Sequence, residues 1–421
     1  MLKPIAAVII LVSALSGPVF GEQKNSTAKK AGEGEKPAEL AWRYGGILKV
    51  NLDATFQTDL HGSYDGADLN AGLKPFALQR NRVGVQGTAF KHIEFEVTRD
   101  VTEKDVAEGR LAKSPWKDLN VNLTYFKRAQ IQAGKFKIPF GLDALTGATR
   151  NDFVYRSLGG DYLAPGRGTG VMVHGKLLNR GLNYSVGVFG DDGDNATTSK
   201  ARGGDRTLAA RVTGTPLRRI SAGGLGRVEF GTAFALSGVS DDSDGSFMPK
   251  GLRGRTVVTS DAFFQPVYVN GRRARWEGDV HWAGGPADLR AEYTRVTDER
   301  RGQGYADENL PDVRYQSWYV RGTYFVTGDR RTRGAVQAVG RYERIWFDSV
   351  GGSDEPARTP RAETIFPNGD RVVTVGANVT LNRYMTIQLN VIREAVSDRD
   401  RNPVAGGAPF WSRVLRFQFA L

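Results

Sequence analysis

Arginine dominates the residues of this sequence that could do chemistry: 41 of its 58 basic residues are arginine and 17 are lysine, against 46 acidic ones, for a net charge of +12. A guanidinium stays charged at any ordinary pH, and its planar fork of donors matches a carboxylate or a phosphate, so this bias points to holding anions rather than moving protons. Arg150, Arg156 and Arg167 fall in one stretch, 139–167, and Arg80, Arg82, Arg211, Arg321, Arg341 and Arg416 stand on the polar phase of alternating segments. Lys135 and Lys137 lie just before the same stretch, where Gly134 and Pro139 break the phase. These eleven residues are the candidate anion-binding set.

Catalytic groupings are missing. His61, His92, His174 and His281 are scattered without paired metal-ligand spacing, and no G-x-S-x-G elbow occurs, so neither an enzyme nor a cofactor or metal site is expected. The acidic runs Asp191-Asp192-Gly193-Asp194-Asn195 and Asp241-Asp242-Ser243-Asp244-Gly245 offer oxygen ligands but lack the twelve-residue calcium-loop pattern. They are expected to be solvated loop tips, with divalent bridging to lipopolysaccharide as their functional reading. Cysteine is absent, which excludes disulfides and thiolate metal sites.

Several elements must position the arginines. Lys3 precedes an apolar run from Ile5 to Leu15 that gives way to Gly17 and Pro18, so residues 1–21 read as an export signal cleaved after Gly21. The run falls short of the roughly 20 apolar residues of a transmembrane helix. Residues 22–41 hold four lysines and four glutamates among small residues, a flexible periplasmic lead. Residues 42–421 form one unit without a linker-like break; Lys3 carries one charge and the lead is neutral, which leaves +11 here. Export makes nucleic acid an unexpected partner.

Within that unit apolar residues recur with a period of two. Leu48, Val50, Leu52, Ala54 and Phe56 oppose Lys49, Asn51, Asp53 and Thr55, and the pattern returns around Leu119, Val186, Val320 and Val375. Lipid offers no hydrogen bonds, so such strands can span a membrane only as a closed barrel. Sixteen strands are expected: 46–60, 77–90, 91–101, 117–127, 128–138, 168–178, 181–190, 206–216, 226–238, 272–284, 286–297, 313–327, 333–348, 370–382, 383–397 and 409–421. Tight turns at Lys91-His92, Asn179-Arg180, Gly285-Pro286 and Asn382-Arg383 alternate with the loops 61–76, 139–167, 239–271 and 349–369. Trp411, Arg413, Leu415, Phe417, Phe419 and Leu421 share one phase of the last strand, and Trp42, Tyr44, Tyr125, Tyr324, Trp346 and Trp411 suit the aromatic girdles at the two membrane interfaces. The fold class is therefore all-β, a transmembrane antiparallel barrel of about 16 strands.

Gly134 to Asp143 reads GKFKIPFGLD, Thr149 to Leu158 reads TRNDFVYRSL, and Tyr184 to Gly190 reads YSVGVFG. This resembles the phosphate-selective porin O and P family, in which a G-x-F-x-x-P-F-G-L-E-like strand end enters the third loop and a Y-x-V-G-V-F-like strand follows two strands later. Arg80 to Phe90, Leu289 to Tyr293, Trp318 to Tyr324 with Thr327-Gly328, and the last two strands extend the likeness over nearly all of the chain after residue 42. The resemblance implies a homotrimer of sixteen-stranded barrels, each narrowed by an inward-folded third loop and lined by arginine. Asp143 replaces the family's usual Glu. The strictly phosphate-selective members carry lysine in the third loop, whereas 139–167 has none.

The expected function is passive diffusion of phosphate-like oxyanions, chloride and other small anions through an outer-membrane pore, in contact with lipid and lipopolysaccharide. Three aspartates, Asp143, Asp152 and Asp161, share the third loop with its arginines and should hold oxyanion binding to a moderate level. The competing expectation is a structural or adhesive barrel with a plugged lumen.

Overall fold

The structure, a computed structural model, describes residues 41–63, 75–102, 115–178, 181–195, 206–219, 224–239, 249–348 and 364–421. The export signal, the lead up to residue 40, the Asn179-Arg180 turn and the acidic run at 241–245 lie outside these residues.

Sixteen antiparallel strands close into a ring. They are β1 (Leu48–Ser63), β2 (Phe76–Ala89), β3 (Ile93–Asp100), β4 (Trp116–Leu123), β5 (Gln130–Lys137), β6 (Arg167–Leu177), β7 (Leu182–Phe189) and β8 (Thr207–Gly214). The chain continues through β9 (Glu229–Val239), β10 (Gly271–Gly284), β11 (Ala287–Arg300), β12 (Leu310–Thr327), β13 (Ala335–Asp348), β14 (Asn368–Thr380), β15 (Met385–Val396) and β16 (Phe410–Ala420). Each strand pairs with its neighbour in sequence, and β16 closes on β1 with Ala420 opposite Thr55 and Ser412 opposite Ser63. A short strand, Ala41–Tyr44, pairs with the first residues of β1.

The expected strands are all present, with ends displaced by a few residues. The largest difference falls between β4 and β5, which the alternating pattern joins without a gap. Here Leu123 ends one strand and Gln130 starts the next, because Lys127 and Arg128 occupy an exposed turn closed by Ala129 N–H to Phe126 O. Phe90 and Lys91 turn with positive φ, as does Gly285.

One face of every strand is apolar and outward. Leu52, Val121, Val188, Val320 and Val375 are exposed on the isolated chain, as a lipid-facing band requires, while their neighbours of opposite phase are covered. Trp42, Tyr44, Tyr125 and Tyr324 stand at the short-turn end, and Trp346 and Trp411 at the long-loop end. The wall is uneven: β3, β4, β5, β7 and β8 have 8 residues each, whereas β12 has 18.

The seam between last and first strand carries a buried ion pair. Arg416 Nε and Nη2 lie 2.6 and 2.7 Å from the two oxygens of Asp59, which is fully buried. Removing one partner strands the other charge, so Arg416→Ala is expected to cost about 3–5 kcal/mol of unfolding free energy, measured by denaturant unfolding in lipid vesicles. Adding Asp59→Asn should recover part of that loss; additive costs would show that the pair is not what holds the seam.

Candidate functional site

Residues 138–166 leave β5 and fold into the barrel rather than over its rim. Pro139 ends the ladder and Gly141, at φ 77, turns the chain inward in a conformation glycine adopts freely. The segment then forms α1 (Leu142–Leu145), a 3₁₀ turn (Ala148–Arg150) and α2 (Leu158–Tyr162). A loop inside a barrel must still satisfy its backbone. Side chains of the far wall do this: Gln418 donates to Thr149 O, Gln388 to Asn151 O, Asn378 to Asp152 O, and Arg275 to Leu163 O, at 2.9–3.2 Å. Asn390 Oδ1 accepts from Val154 N–H at 2.9 Å.

Two glutamates hold the helices. Glu292 accepts from Asp143 N–H at 2.8 Å and Glu343 from Leu158 N–H at 2.7 Å, each at a helix N-terminus. Asp143 in turn accepts from Ser157 N–H and Oγ–H, which ties α1 to α2. Burial alone would raise the Asp143 carboxyl; Arg156, Arg321 and Arg341 outweigh it and hold the group below its usual range. Burial pushes the Asp161 carboxyl up despite Arg156 and Arg80 nearby. Phe153, fully buried, is flanked by the guanidiniums of Arg341 and Arg321 at 4.8 and 5.7 Å from its ring. From the short-turn side Arg330 reaches up and bonds Asp152.

A second inward segment, 249–270, packs above. Val257 N–H donates to Glu394 at 2.8 and 3.1 Å, and Phe263 O accepts from Asn368. Leu252, Phe263 and Phe264 join Tyr315, Phe347, Val154 and Leu163 in one apolar cluster, with Phe264 stacked on Phe347 at 4.2 Å. The two segments cover the inner face of β10–β16. Tyr319, Arg321, Asn390 and Glu394 are buried there, whereas Glu94 on β3 is exposed and Gln86 and Glu96 are half-buried. The accessible lumen therefore runs between the loop and the wall of β1–β6. On that wall Asn51, Gln86, Glu96 and Asn120 form one cross-strand row, and Asp53, Gly84, Thr98 and Asp118 the next.

The eleven candidate residues divide. Arg211 pairs with Glu277 and Asp279 at 2.7 and 2.6 Å, Arg341 with Glu343 at 2.7 Å, and Arg416 with Asp59; Arg321 lies 3.8 and 3.9 Å from Asp143 and Asp152. All four are buried beneath the inward segments or between acids. They point inward as their phase requires, but they form a scaffold rather than an open ladder, because a guanidinium out of water needs a carboxylate. Arg82 and Arg167 face the accessible side, paired with Asp100 at 3.4 Å and with Asp118 at 3.0 and 2.8 Å. Arg150 is exposed at the end of the 3₁₀ turn. Arg80 donates to Gln57 Oε1 at 2.9 Å. Lys137 Nζ donates to the carbonyls of Ala144, Leu145 and Thr146 at 2.8–3.1 Å, and Arg156 to those of Asp143 and Thr146. Lys135 departs from its assignment: it pairs opposite Leu119 and Thr169, both exposed outward, and so stands on the outer face.

The charges of Arg80, Arg82, Arg156 and Arg167 lie near one another and near Lys137, with Asp100, Asp118 and Asp161 as tempering acids. The first acidic run is not a solvated tip. Asp192 is buried between Arg273 and Arg275, and Asp194 accepts from Arg167 N–H at 2.8 Å. Glu292, Glu343 and Glu394, which hold the inward segments, are absent from the sequence-derived set, although their phase on β11, β13 and β15 marks them as inward.

Comparisons agree with this geometry. Solved structures with similar folds include OmpT of Vibrio cholerae in its trimer form (TM-score 0.56, 12% identity, 89% of this chain and 100% of that one). The anion-selective porin from Comamonas acidovorans gives TM-score 0.54 at 13% identity, over 89% of this chain and 100% of the other. The outer-membrane channel DcaP of Acinetobacter baumannii gives 0.54 at 12%, over 90% and 99%. No significant match was found among curated proteins. The sequence profile described as "Phosphate-selective porin O and P" matches residues 50–420, nearly the whole barrel, and the chain, an outer-membrane channel, belongs to that family.

Proposed function

We propose that the barrel is a water-filled, anion-preferring pore through which phosphate and other small anions diffuse passively, and that it carries no catalytic activity. The observation that supports this most is the state of three cations on the accessible side. Lys137, Arg156 and Arg80 bond neutral carbonyl or amide oxygens, and among the described residues none of the three makes a carboxylate ion pair. Lys137 and Arg156 share the carbonyl of Thr146, which sets two basic side chains side by side at the bend of the inward loop. In a confined lumen such charges attract anions more strongly than in bulk water. Arg82, Arg167 and exposed Arg150 add to the field, and Asp118, Asp161 and Glu96 moderate it.

The loop 139–167 has no lysine of its own, but one reaches it from the end of β5. Lys137 precedes the loop by two residues, yet its amino group enters the bend and bonds the carbonyls there. Three carbonyls already occupy its donors, which favours shallow rather than tight oxyanion binding. We place the mature chain after Gly21, with 22–41 as a periplasmic lead, and infer a homotrimer packed through the low wall of β3–β8. Eight residues rise about 26 Å along a strand and about 20 Å along the normal when tilted, short of an apolar band of about 25 Å. Val97, Leu119, Val121, Val171, Val186 and Val188 give that wall a largely aliphatic face that a second copy can cover. OmpT of Vibrio cholerae, of similar fold, is described in a trimer form.

In planar bilayers the wild type should give a reversal potential favouring chloride over potassium, and Lys137→Ala with Arg156→Ala should move it toward zero and weaken any block of chloride current by phosphate. Unchanged selectivity in the double variant would place the filter elsewhere, and no current at all would favour a plugged, structural barrel. Glu343→Ala removes the acceptor at the start of α2, so single-channel conductance should rise and become noisier; a wild-type trace would mean that the loop does not set the bore. Light scattering of detergent-extracted protein should give three times the chain mass, and a monomer would overturn the trimer.

A further inference from the structure

Most of the chain's surplus positive charge is not in the lumen. The short connections 45–47, 90–92, 124–129, 178–181, 215–228, 285–286, 328–334 and 381–384 together contain eleven arginines and lysines and a single acid, Asp329. They therefore carry ten of the eleven net charges of residues 42–421, and strands and long loops are close to neutral. Five of the exposed cations of this rim, unlike Arg330, Arg331 and Arg333, have apolar neighbours in sequence. Lys91 adjoins Phe90, Lys127 and Arg128 adjoin Phe126, and Arg227 lies two residues from Leu225, all three apolar groups being more than 60% exposed. The Arg383 guanidinium lies 4.6 Å over the ring of Tyr384, which itself approaches Phe419 of the outer aromatic band at 6.2 Å. Arg43 sits between Trp42 and Tyr44, whose rings stack at 5.9 Å.

A funnel for free ions would need its cations turned to the pore axis. Cations interleaved with exposed aromatic and aliphatic groups at strand ends instead match a membrane interface, where the ring or chain enters the acyl boundary and the charged head reaches the phosphate level. We propose that this rim is a docking surface for anionic phospholipid headgroups of the periplasmic leaflet, with the lipid phosphodiester as the recognised group. Zwitterionic lipids present the same phosphate beside an ammonium, so a cationic rim discriminates against them. The proposal rests on insertion of the barrel in a membrane and not on the ion preference of its pore.

The test uses the full chain in nonionic detergent, with phosphatidylglycerol or phosphatidylcholine added and retained lipid read by native mass spectrometry. The wild type should retain phosphatidylglycerol at roughly tenfold excess over phosphatidylcholine, and less at high salt. A variant with Lys91, Lys127, Arg128, Arg227 and Arg383 each changed to Gln should bring the ratio to about one. Its reversal potential in planar bilayers should match the wild type, which separates this idea from the pore reading. Equal retention by the wild type, an unchanged ratio in the variant, or displacement of the lipid by inorganic phosphate at matched concentration would each overturn the proposal. A wild type that discriminates between the lipids but passes no current would overturn only the channel function.

Discussion

Every backbone N–H and C=O removed from water must find a partner, and that requirement shapes both the wall of this protein and its contents. In the wall it dictates ring closure, since an open edge would face hydrocarbon. Inside, it dictates how the third loop can cross the lumen without a sheet of its own. Glutamine, asparagine, glutamate and arginine side chains of the far wall take the place of a ladder, one for nearly every peptide group between Thr149 and Leu158. The loop is consequently fixed on one side of the barrel, and the passage is whatever space remains on the other.

Charge follows from the same economy of partners. Guanidiniums covered by the loops are matched by carboxylates, as with Arg211, Arg341 and Arg416. Those on the accessible side are matched less fully: Arg82 and Arg167 have carboxylate partners, whereas Lys137, Arg156 and Arg80 bond neutral oxygens. Net charge read from composition thus says little about the sign of the field in the pore. What matters is which cations of the inward loop and its facing wall bond neutral oxygens without a carboxylate ion pair, as Lys137, Arg156 and Arg80 do among the described residues.

The barrel was legible in the sequence because a two-residue period maps directly onto a strand with one lipid face and one wet face. Val320 and Val375 declare their side whatever the neighbouring strands contain. The site was legible only in part. Phase shows that Arg341 and Arg416 point inward, yet nothing local shows that a loop nearly two hundred residues away in sequence will lie over Arg341. Lys137 stands in the candidate set without a settled side, because Pro139 and Gly141 end the strand phase beside it; only the path of the loop shows that its side chain meets the carbonyls of 144–146. Asp192 looked like a loop-tip residue because Arg273 and Arg275, which enclose it, lie some eighty residues further on.

The closure of β16 on β1 has a temporal side. Asp59 and Arg416 are separated by 357 positions, and the backbone of the last residue, Leu421, donates to Ala54 O. No intermediate that lacks the eleven-residue strand β16 can join its two edges as they join here, so closure waits on the last of the sixteen strands. Contacts this distant in sequence make such a step slow, and two unpaired strand edges stay open to other chains until it happens. A chain without β16 would leave β15 and β1 as open edges, each a template for another strand.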